Sequence, residues 1–361
     1  MIRKKRILFC PLDWGLGHAT RDSFLIRKFI GQGHEVILAG SGQSLEFLRK
    51  EFPLNQVIPF PGFQIRYNTK WPAWKMIAIQ LPKIICQTLS EHRKLKKIIL
   101  KHQVDLVISD ARYGVWSSKV PSVLITHQLQ FHLPFRFRLP GRLAARLNRF
   151  ATGRFSSCWV PDFPGYPNLG GRLSHPAKIT PNTTYIGPLS QFSGSELLPV
   201  SEFKYEVVAL ISGPEPQRTL FENLLSEQLA AYPQKSLIIC GDMTKTEKTD
   251  LSEYCTKISC LAGSSLAKAL LNARYIICRS GYSSIMDLIT LRKPAFLVPT
   301  PGQTEQEYLA GYLSENHFFP SCRQHNFNLS EVLQVLRNYT SHFQRHEPDF
   351  AYKVIHDIEE W

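Results

Sequence analysis

The chain has 361 residues and is 43% hydrophobic and 20% charged, which is typical of a globular protein and excludes fibrous and disordered classes. Its length exceeds what one hydrophobic core usually supports, so we expect two domains. The formal net charge of +14 favours an anionic partner, such as a nucleic acid, an anionic lipid surface or a phosphorylated small molecule.

Apolar runs alternate with stretches of helical length along the first half of the chain. In chain order we predict strands at 7–10, 35–39, 57–60, 104–109, 122–126 and 158–160, separated by helices that include 19–30, 45–51 and 74–101. This alternation predicts a parallel sheet with helices on both faces.

The pattern pauses at residues 186–204, which are rich in glycine and proline and show little apolar periodicity. We predict a linker there, between an N-terminal domain at 1–185 and a C-terminal domain at 205–340. Strand-like runs resume at 207–211, 237–240, 275–278 and 295–298, and residues 341–361 are predicted to form a helix that packs back toward the N-terminal domain. The predicted fold is α/β, with two tandem Rossmann-like, doubly wound domains facing each other across a cleft. Ligands of such sheets bind beyond the carboxyl ends of the strands.

The cysteines and the apolar segments bear on the compartment. None of the eight cysteines forms a CxxC pair, which disfavours a zinc ribbon or a redox motif. No stretch reaches the ~20 apolar residues of a membrane span, and the apolar run after the basic N-terminus is too short for a signal peptide. We therefore expect a reducing, cytoplasmic location.

The first motif, D-W-G-L-G-H-A-T-R at 13–21, follows the first strand. Gly15 and Gly17 allow a sharp turn and a close approach of backbone to ligand. His18 would begin the next helix, and Arg21 lies on the same face of its first turn. The motif lacks the third glycine of a dinucleotide fingerprint and the GK[ST] of a P-loop. It indicates either a ligand-binding loop or an ordinary turn with a surface histidine.

The second motif, R-S-G-Y-S-S-I-M-D at 279–287, also joins a strand to a helix. Backbone N–H groups, hydroxyls and the helix dipole would converge at its start, which suits a phosphate or diphosphate without a metal. Asp287 is placed to accept a hydrogen bond from a ribose hydroxyl. The alternative is a serine cap followed by a solvated aspartate.

Two further strand-end loops carry polar groups. Glu305 and Gln306 begin a predicted helix, where they either cap it or bind sugar hydroxyls. The loop S-G-P-E-P-Q-R at 212–218 offers Ser212, Gly213 and Arg218 to a phosphate.

Together, the GxGH loop and the late pattern S-G-x-S-S…D-L…R-K-P-A-F-L-V-P…E-Q resemble the GT-B glycosyltransferases. The pattern is most similar to family 28, which includes the N-acetylglucosaminyl transferase of the lipid-linked peptidoglycan precursor and the plant galactolipid synthases. The family's Gly-Gly-Ser-x-Gly loop is Ser-Gly-Pro-Glu-Pro here, and the extra glycine before His18 is absent. The resemblance implies that Gly15, Gly17 and His18 face acceptor and donor diphosphate. It further implies donor contacts as follows: the diphosphate on Ser280, Gly281, Ser283 and Ser284, the ribose on Asp287, and the donor sugar and ribose on Glu305 and Gln306.

The resemblance implies transfer from a nucleotide-diphosphate sugar, expected to be a UDP-sugar, to an acceptor hydroxyl with inversion. The chain has no DxD metal motif, so we expect no metal and no cofactor, with the helix start at Ser283 stabilising the leaving group. His18 is the predicted general base because its imidazole titrates near neutral pH. Asp110 is a second candidate base, and Arg21 and His127 are predicted to line the acceptor side.

A basic stretch between residues 131 and 158 contains no acidic residue. Its helical spacing places arginines on one stripe and apolar side chains on another: Arg142, Arg146 and Arg149, and Leu139, Leu143, Leu147 and Phe150. Such a helix predicts peripheral binding to an anionic membrane, at its inner cytoplasmic face, with Lys70, Trp71, Trp74, Lys75 and Lys83 extending the patch. The alternatives are a buried helix with solvated arginines, or a nucleic-acid patch. We expect no nucleic acid, because no recognition module accompanies the charge. A lipid-linked acceptor would fit the membrane prediction.

Two other functions stay open at this stage. Nucleotide-sugar hydrolases similar to GT-B proteins carry GxGHxxR, which His18 and Arg21 match, and there the histidine activates water. A non-catalytic subunit that binds a nucleotide sugar is the other alternative, disfavoured by the presence of His18, Asp287 and the Glu305–Gln306 pair.

Overall fold

The computed structural model describes residues 4–13, 16–63, 73–130, 138–194, 202–242, 245 and 247–341. Contacts divide the chain into two compact units, with the division between Ser193 and Gly194. Gly15, residues 195–201 of the predicted linker and the predicted terminal helix beyond Ser341 lie outside the described residues.

Unit 1 contains a seven-stranded sheet in the order β3-β2-β1-β4-β5-β6-β7, with every pair parallel. Its strands are β1 Arg6–Cys10, β2 Glu35–Gly40, β3 Gln56–Pro59, β4 Leu106–Asp110, β5 Ser122–Ile125, β6 Ser157–Val160 and β7 Thr183–Tyr185. Its helices are α1 Leu16–Gly31, α2 Gly42–Glu51, α3 Ala73–His102 and α4 Arg138–Thr152. The central strands are buried along their length, which explains why they form continuous apolar runs in the sequence.

The strand order of unit 1 reverses between β1 and β4. Strand β1 pairs with β2 on one side and with β4 on the other, and Cys10 is in register with Ser109. The loop after β1 and the last residue of β4 therefore meet at the carboxyl edge of the sheet, where doubly wound folds bind ligands.

Unit 2 contains a six-stranded sheet in the order β10-β11-β9-β8-β12-β13, in which only the β10–β11 pair is antiparallel. Its strands are β8 Tyr205–Leu210, β9 Ser236–Ile239, β10 Lys248–Asp250, β11 Cys255–Ile258, β12 Ala273–Cys278 and β13 Ala295–Leu297. Its helices are α5 Gln217–Ala230, α6 Gly263–Leu271, α7 Tyr282–Leu291, α8 Thr304–Glu315 and α9 Leu329–Asn338. Cys278 is in register with Leu210 and Leu297, so the loops after β8, β12 and β13 lie side by side.

The cores explain why these helices cover the sheets. In unit 1, Leu95 and Ile99 of α3 pack with apolar side chains of β1, β2 and β4. In unit 2, Phe221, Leu225 and Leu229 of α5 are spaced four residues apart and bury one stripe against the sheet. The predicted α/β class with two doubly wound, Rossmann-like halves is confirmed. Within the described residues, no helix has the combination of length and apolar character needed to cross a bilayer.

Candidate active site

The β1–α1 loop is tied to the start of α2 by Asp13. Its carboxylate accepts hydrogen bonds from the Ser44 backbone N–H at 3.3 Å and from the Ser41 hydroxyl at 3.2 Å. Gly42 has a φ of 55°, and a Cβ there would lie 2.2 Å from Asp13 Oδ2, so only glycine leaves room for this contact. Gly17 lies in the first turn of α1, and its carbonyl accepts a hydrogen bond from the Thr20 hydroxyl.

Three of the predicted site residues meet at the edge between β1 and β4. His18 Nδ1 lies 2.8 Å from Asp110 Oδ2. Arg21 donates from Nε to Asp110 Oδ2 at 3.0 Å and from Nη2 to Asp110 Oδ1. The i, i+3 spacing on α1 brings His18 and Arg21 to one face, and the β1–β4 pairing brings Asp110 to meet them.

Burial divides the roles of these three residues. The side chain of His18 is 20% exposed, whereas those of Arg21 and Asp110 are 2% and 0% exposed. His18 is therefore the member of the group that a ligand can reach. The Asp110 carboxylate, predicted as a second base, is buried and held by Arg21 and His18, so that role stays a prediction. The guanidinium of Arg21, predicted on the acceptor side, is buried against Asp110, and its predicted place stays a prediction.

Electrostatics keep Asp110 ionised and His18 neutral. Burial alone would raise the pKa of the Asp110 carboxyl, but the charge of Arg21 and the contacts with His18 bring that pKa below its usual value. Burial lowers the pKa of the His18 imidazole, and this outweighs the opposing effect of Asp110. We assign the proton to Nδ1, because the ionised Asp110 carboxylate can only accept and therefore needs a donor at the other end of its 2.8 Å contact with this nitrogen. Arg21 Nη2, 3.0 Å from the same nitrogen, donates to Asp110 Oδ1 instead. Nε2 is then left as the acceptor.

His127 follows strand β5 and is almost fully buried. It is near enough to His18 for its charge to lower the pKa of that imidazole. Its predicted place on the acceptor side stays a prediction.

Sequence reasoning missed Asp22, which is also part of this cluster. Its side chain is completely buried on α1 beside Asp110. Burial raises the pKa of the Asp22 carboxyl well above its usual value, and the charge of Asp110 adds to this. The signal in the sequence was its position on the helical stripe that includes the buried residues Leu25, Ile26 and Phe29, where an acid is unusual.

In unit 2, the second motif forms the end of β12 and the start of α7. Gly281 is the N-cap residue of α7, so no side chain caps the helix from this position. Ser283 and Ser284 lie half-buried in the first turn. Asp287 is half-buried about one turn further along the helix. The buried hydroxyl of Ser280, which is predicted to bind the diphosphate, donates to the Gln306 carbonyl at 2.8 Å. This bond joins α8 to the loop.

The neighbouring loops are also held together internally. Gln306 Oε1 accepts from the Thr300 backbone N–H at 2.9 Å, so this oxygen anchors the loop after β13. Glu305 lies beside it, half-buried in the first turn of α8. The exposed Gly213 has a φ of 111° and comes close to Thr300, while Ser212 before it is half-buried.

Arg218 is engaged by carboxylates instead of facing an open phosphate site. Its Nε donates to Glu215 Oε1 at 2.8 Å, and its Nη2 lies 3.8 Å from Asp242 Oδ2. The predicted phosphate contact therefore requires the Arg218–Glu215 pair to open.

Arg279 is a structural residue that the motif analysis passed over. It is fully buried and donates hydrogen bonds to the carbonyls of Val298, Pro299 and Gln217 and to the side chain of Gln324. One guanidinium thus joins the loop after β13 to the start of α5. In the described part of the chain, His, Cys, Asp and Glu side chains form no group of three placed to hold a metal.

Comparison with protein families gives two matches, one in each unit. The model of the glycosyltransferase family 28 C-terminal domain matches residues 210–352, and the model of glycosyl transferase family 1 matches residues 5–123. An uncharacterized glycosyltransferase of Methanosarcina acetivorans is 23% identical over 84% of this chain and 82% of its own. A second relative, from Bacillus thuringiensis, is 22% identical over 93% of this chain and 94% of its own. Its name is UDP-N-acetylglucosamine--N-acetylmuramyl-(pentapeptide) pyrophosphoryl-undecaprenol N-acetylglucosamine transferase 1.

Solved structures show the same fold at low sequence identity. The calicheamicin glycosyltransferase CalG4 aligns with a TM-score of 0.62 at 13% identity and covers 99% of this chain and 94% of its own. MurG of Acinetobacter baumannii aligns with a TM-score of 0.55 at 16% identity, and the alignment covers 99% of this chain and 100% of the MurG chain. These likenesses establish the GT-B fold.

Proposed function

We propose that this chain, a glycosyltransferase of the GT-B fold that resembles family 28, moves a sugar from a nucleotide-diphosphate donor to an acceptor hydroxyl. The observation that carries the proposal is the reachable His18 imidazole, whose Nδ1 is bonded to the buried Asp110 carboxylate. A neutral, oriented histidine at the carboxyl edge of a doubly wound sheet is a suitable general base.

The chemistry begins with His18 Nε2, which accepts the proton of the acceptor hydroxyl as its oxygen attacks the anomeric carbon. The bond from that carbon to the diphosphate breaks in the same step, and a single displacement inverts the anomeric centre. Asp110 faces the imidazolium that forms and stabilises it, as Arg21 holds the carboxylate in place. A positioned base of this kind contributes about 10²–10⁴-fold in rate.

On the donor side, the start of α7 supports diphosphate binding. Its first-turn backbone N–H groups have no side-chain cap at Gly281, and the helix dipole places partial positive charge there. We assign the diphosphate to Gly281, Ser283 and Ser284, and the ribose to Asp287. This fixed dipole would stabilise the leaving group without a metal. A UDP-sugar is the proposed donor, since the name of the Bacillus relative specifies UDP-N-acetylglucosamine.

A membrane surface is the proposed location of the acceptor. On α4, Leu143, Leu147 and Phe150 are 58–62% exposed, and Arg146 is exposed beside them. On α3, the apolar side chains Ile79, Leu81, Ile85 and Leu89 are also exposed. Trp116 connects the two helices, because it stacks on His92 of α3 while Arg154, just after α4, lies over its ring.

We call these seven apolar side chains on α3 and α4 the apolar surface of unit 1. Exposed apolar groups among basic side chains suit an anionic bilayer. A lipid-linked acceptor would present its hydroxyl at such a surface, and the name of the Bacillus relative includes an undecaprenol carrier. The proposed location is peripheral, at the inner face of the cytoplasmic membrane. The side chains of Trp71, Trp74 and Arg142, which the sequence also assigned to this surface, lie outside the described residues.

The proposal is tested with the full-length protein and a panel of UDP-, dTDP- and GDP-sugars. A selective thermal shift identifies the donor, because a ligand at 100 times its Kd stabilises by about 2.7 kcal/mol. Asp287→Ala is expected to abolish that shift. His18→Gln is expected to keep it but to lower sugar transfer to a lipid extract by about 10²–10⁴-fold.

The matched control is His102→Gln. This half-buried histidine ends α3, before β4 begins, and therefore lies at the opposite edge of the sheet. Its replacement is expected to leave transfer unchanged. Full transfer by His18→Gln would overturn the assignment of the base. Steady nucleotide release without acceptor would favour a nucleotide-sugar hydrolase, and donor binding without any turnover would favour a non-catalytic subunit.

A further inference from the structure

Asp22 is a second carboxyl group buried in the His18 cluster. It follows Arg21 on α1, its side chain is inaccessible to solvent, and it lies within hydrogen-bond reach of Asp110. Neither of its carboxylate oxygens accepts a hydrogen bond from a donor group in the described structure. Two ionised carboxylates offer only acceptors to each other, so a bond between Asp22 and Asp110 requires a proton on one of them.

The charges show which carboxyl carries that proton. Arg21 is the guanidinium at this site and gives both Nε and Nη2 to Asp110, while His18 makes a third contact with the same carboxylate. One guanidinium compensates one negative charge, and a second ionised carboxylate in the same buried space would be uncompensated. Burial and the charge of Asp110 both raise the pKa of Asp22, and Arg21 offsets this only in part.

We propose that Asp22 is a positioning residue of the sugar-transfer site, a neutral carboxylic acid that donates its proton to Asp110 and so holds Asp110 against His18 Nδ1. The inference rests on the proposed role of His18 as general base. Asp22 touches neither sugar nor acceptor, and it acts through Asp110.

The consequence for His18 follows from the net charge beside it. With Asp22 neutral, the charges of Arg21 and Asp110 sum to zero, and the imidazole remains neutral, with Nε2 able to accept a proton. An ionised Asp22 would add a second negative charge beside Asp110 and so favour the imidazolium at rest, which has no free acceptor nitrogen. His127 is the other titratable group that acts on His18, and its charge works in the opposite sense. A carboxylic acid kept neutral in an apolar site is an established way to supply a hydrogen-bond donor.

The test reads the His18 ring directly, by NMR of the full-length protein labelled with ¹⁵N-histidine. The His18 signals are assigned by their loss in His18→Gln. In the parent protein we expect a neutral ring protonated at Nδ1, and a ring protonated at Nε2 would overturn the proposal. Asp22→Asn keeps a neutral N–H donor toward Asp110, so we expect the same tautomer and a titration midpoint within about 0.3 unit of the parent. Asp22→Ala removes the donor, and we expect a changed tautomer or a shifted midpoint.

Two outcomes with the variants contradict the proposal. A lowered His18 midpoint in Asp22→Asn means that a negative charge was removed and that Asp22 was ionised. An unchanged tautomer and midpoint in a folded Asp22→Ala means that Asp22 positions nothing. If the alanine variant does not fold, the asparagine variant alone decides. The exposed Asp105, just before β4, provides the control Asp105→Asn, which should leave the His18 signals unchanged. The NMR readout needs no turnover, so failure of His18 as base in the transfer assay remains distinguishable from failure of this proposal.

Discussion

Replacing Asp110 with asparagine removes the charge on which the His18 cluster depends. Asp110 accepts two hydrogen bonds from Arg21 and contacts His18 at 2.8 Å, with no exposure to solvent. Asparagine has one carbonyl oxygen and one NH₂ group, so it cannot accept both bonds from Arg21. A buried guanidinium is then left without its counter-charge.

The expected loss of stability follows from this burial. Removing one partner of a buried ion pair costs about 3–5 kcal/mol, whereas an exposed pair contributes under about 1 kcal/mol. The pH dependence has a definite sign. Since the folded-state pKa of Asp110 lies below its unfolded value of about 3.9, its stabilising contribution is fully present above that pH and is lost as the pH falls through the folded value. The difference between parent and variant should therefore be constant from about pH 5 to 8 and shrink below about pH 4.

Urea unfolding followed by tryptophan fluorescence measures this change selectively. Residues 194–345 contain no tryptophan, so the signal excludes unit 2, and Trp159 is buried in β6 of unit 1. With a urea m-value near 2–3 kcal/mol/M, the midpoint should fall by about 1–2 M. Asp105→Asn is the control and should move it little, because that carboxylate is exposed. A shift for Asp110→Asn no larger than the control would refute the reasoning that Asp110 is ionised and paired with Arg21.

Two further predictions concern the loop anchor and the membrane surface. Gly42→Ala should destabilise unit 1 by about 1–3 kcal/mol, because its φ of 55° and the 2.2 Å approach of its Cβ to Asp13 both oppose a side chain. Gly31→Ala, which meets nothing within 4 Å, should be neutral in the same urea assay, and an equal effect of the two would contradict the explanation. The double variant Leu143→Ser, Leu147→Ser should lose salt-sensitive flotation with phosphatidylglycerol liposomes, while Leu220→Ser, 50% exposed on α5, should not. Absence of flotation by the parent protein would rule out the proposed membrane surface.

Buried parallel strands were predictable because they leave a strong local signal. Central strands such as β1, β4 and β12 are covered on both faces, so each is a short run of apolar residues between a loop and a helix. Strands β7, β10 and β11 were missed, because they lie toward the outer parts of the sheets and carry polar or half-exposed side chains. Their strand conformation depends on pairing with neighbours, which no local pattern shows.

The sequence thus determined where the buried strands lie along the chain and which loops follow them, which was enough to place His18, Asp110 and the start of α7 at carboxyl edges of parallel sheets. Only the tertiary structure decided which of these groups a ligand can reach. Arg21, Asp110 and Ser280 have the same residue types as binding groups, but each is buried and bonded to a neighbour from a distant part of the chain. The role of Asp22 likewise exists only because the β1–β4 pairing brings a second carboxyl group beside it. Burial and charge compensation arise from contacts between segments about 90 residues apart, and therefore no local sequence pattern contains them.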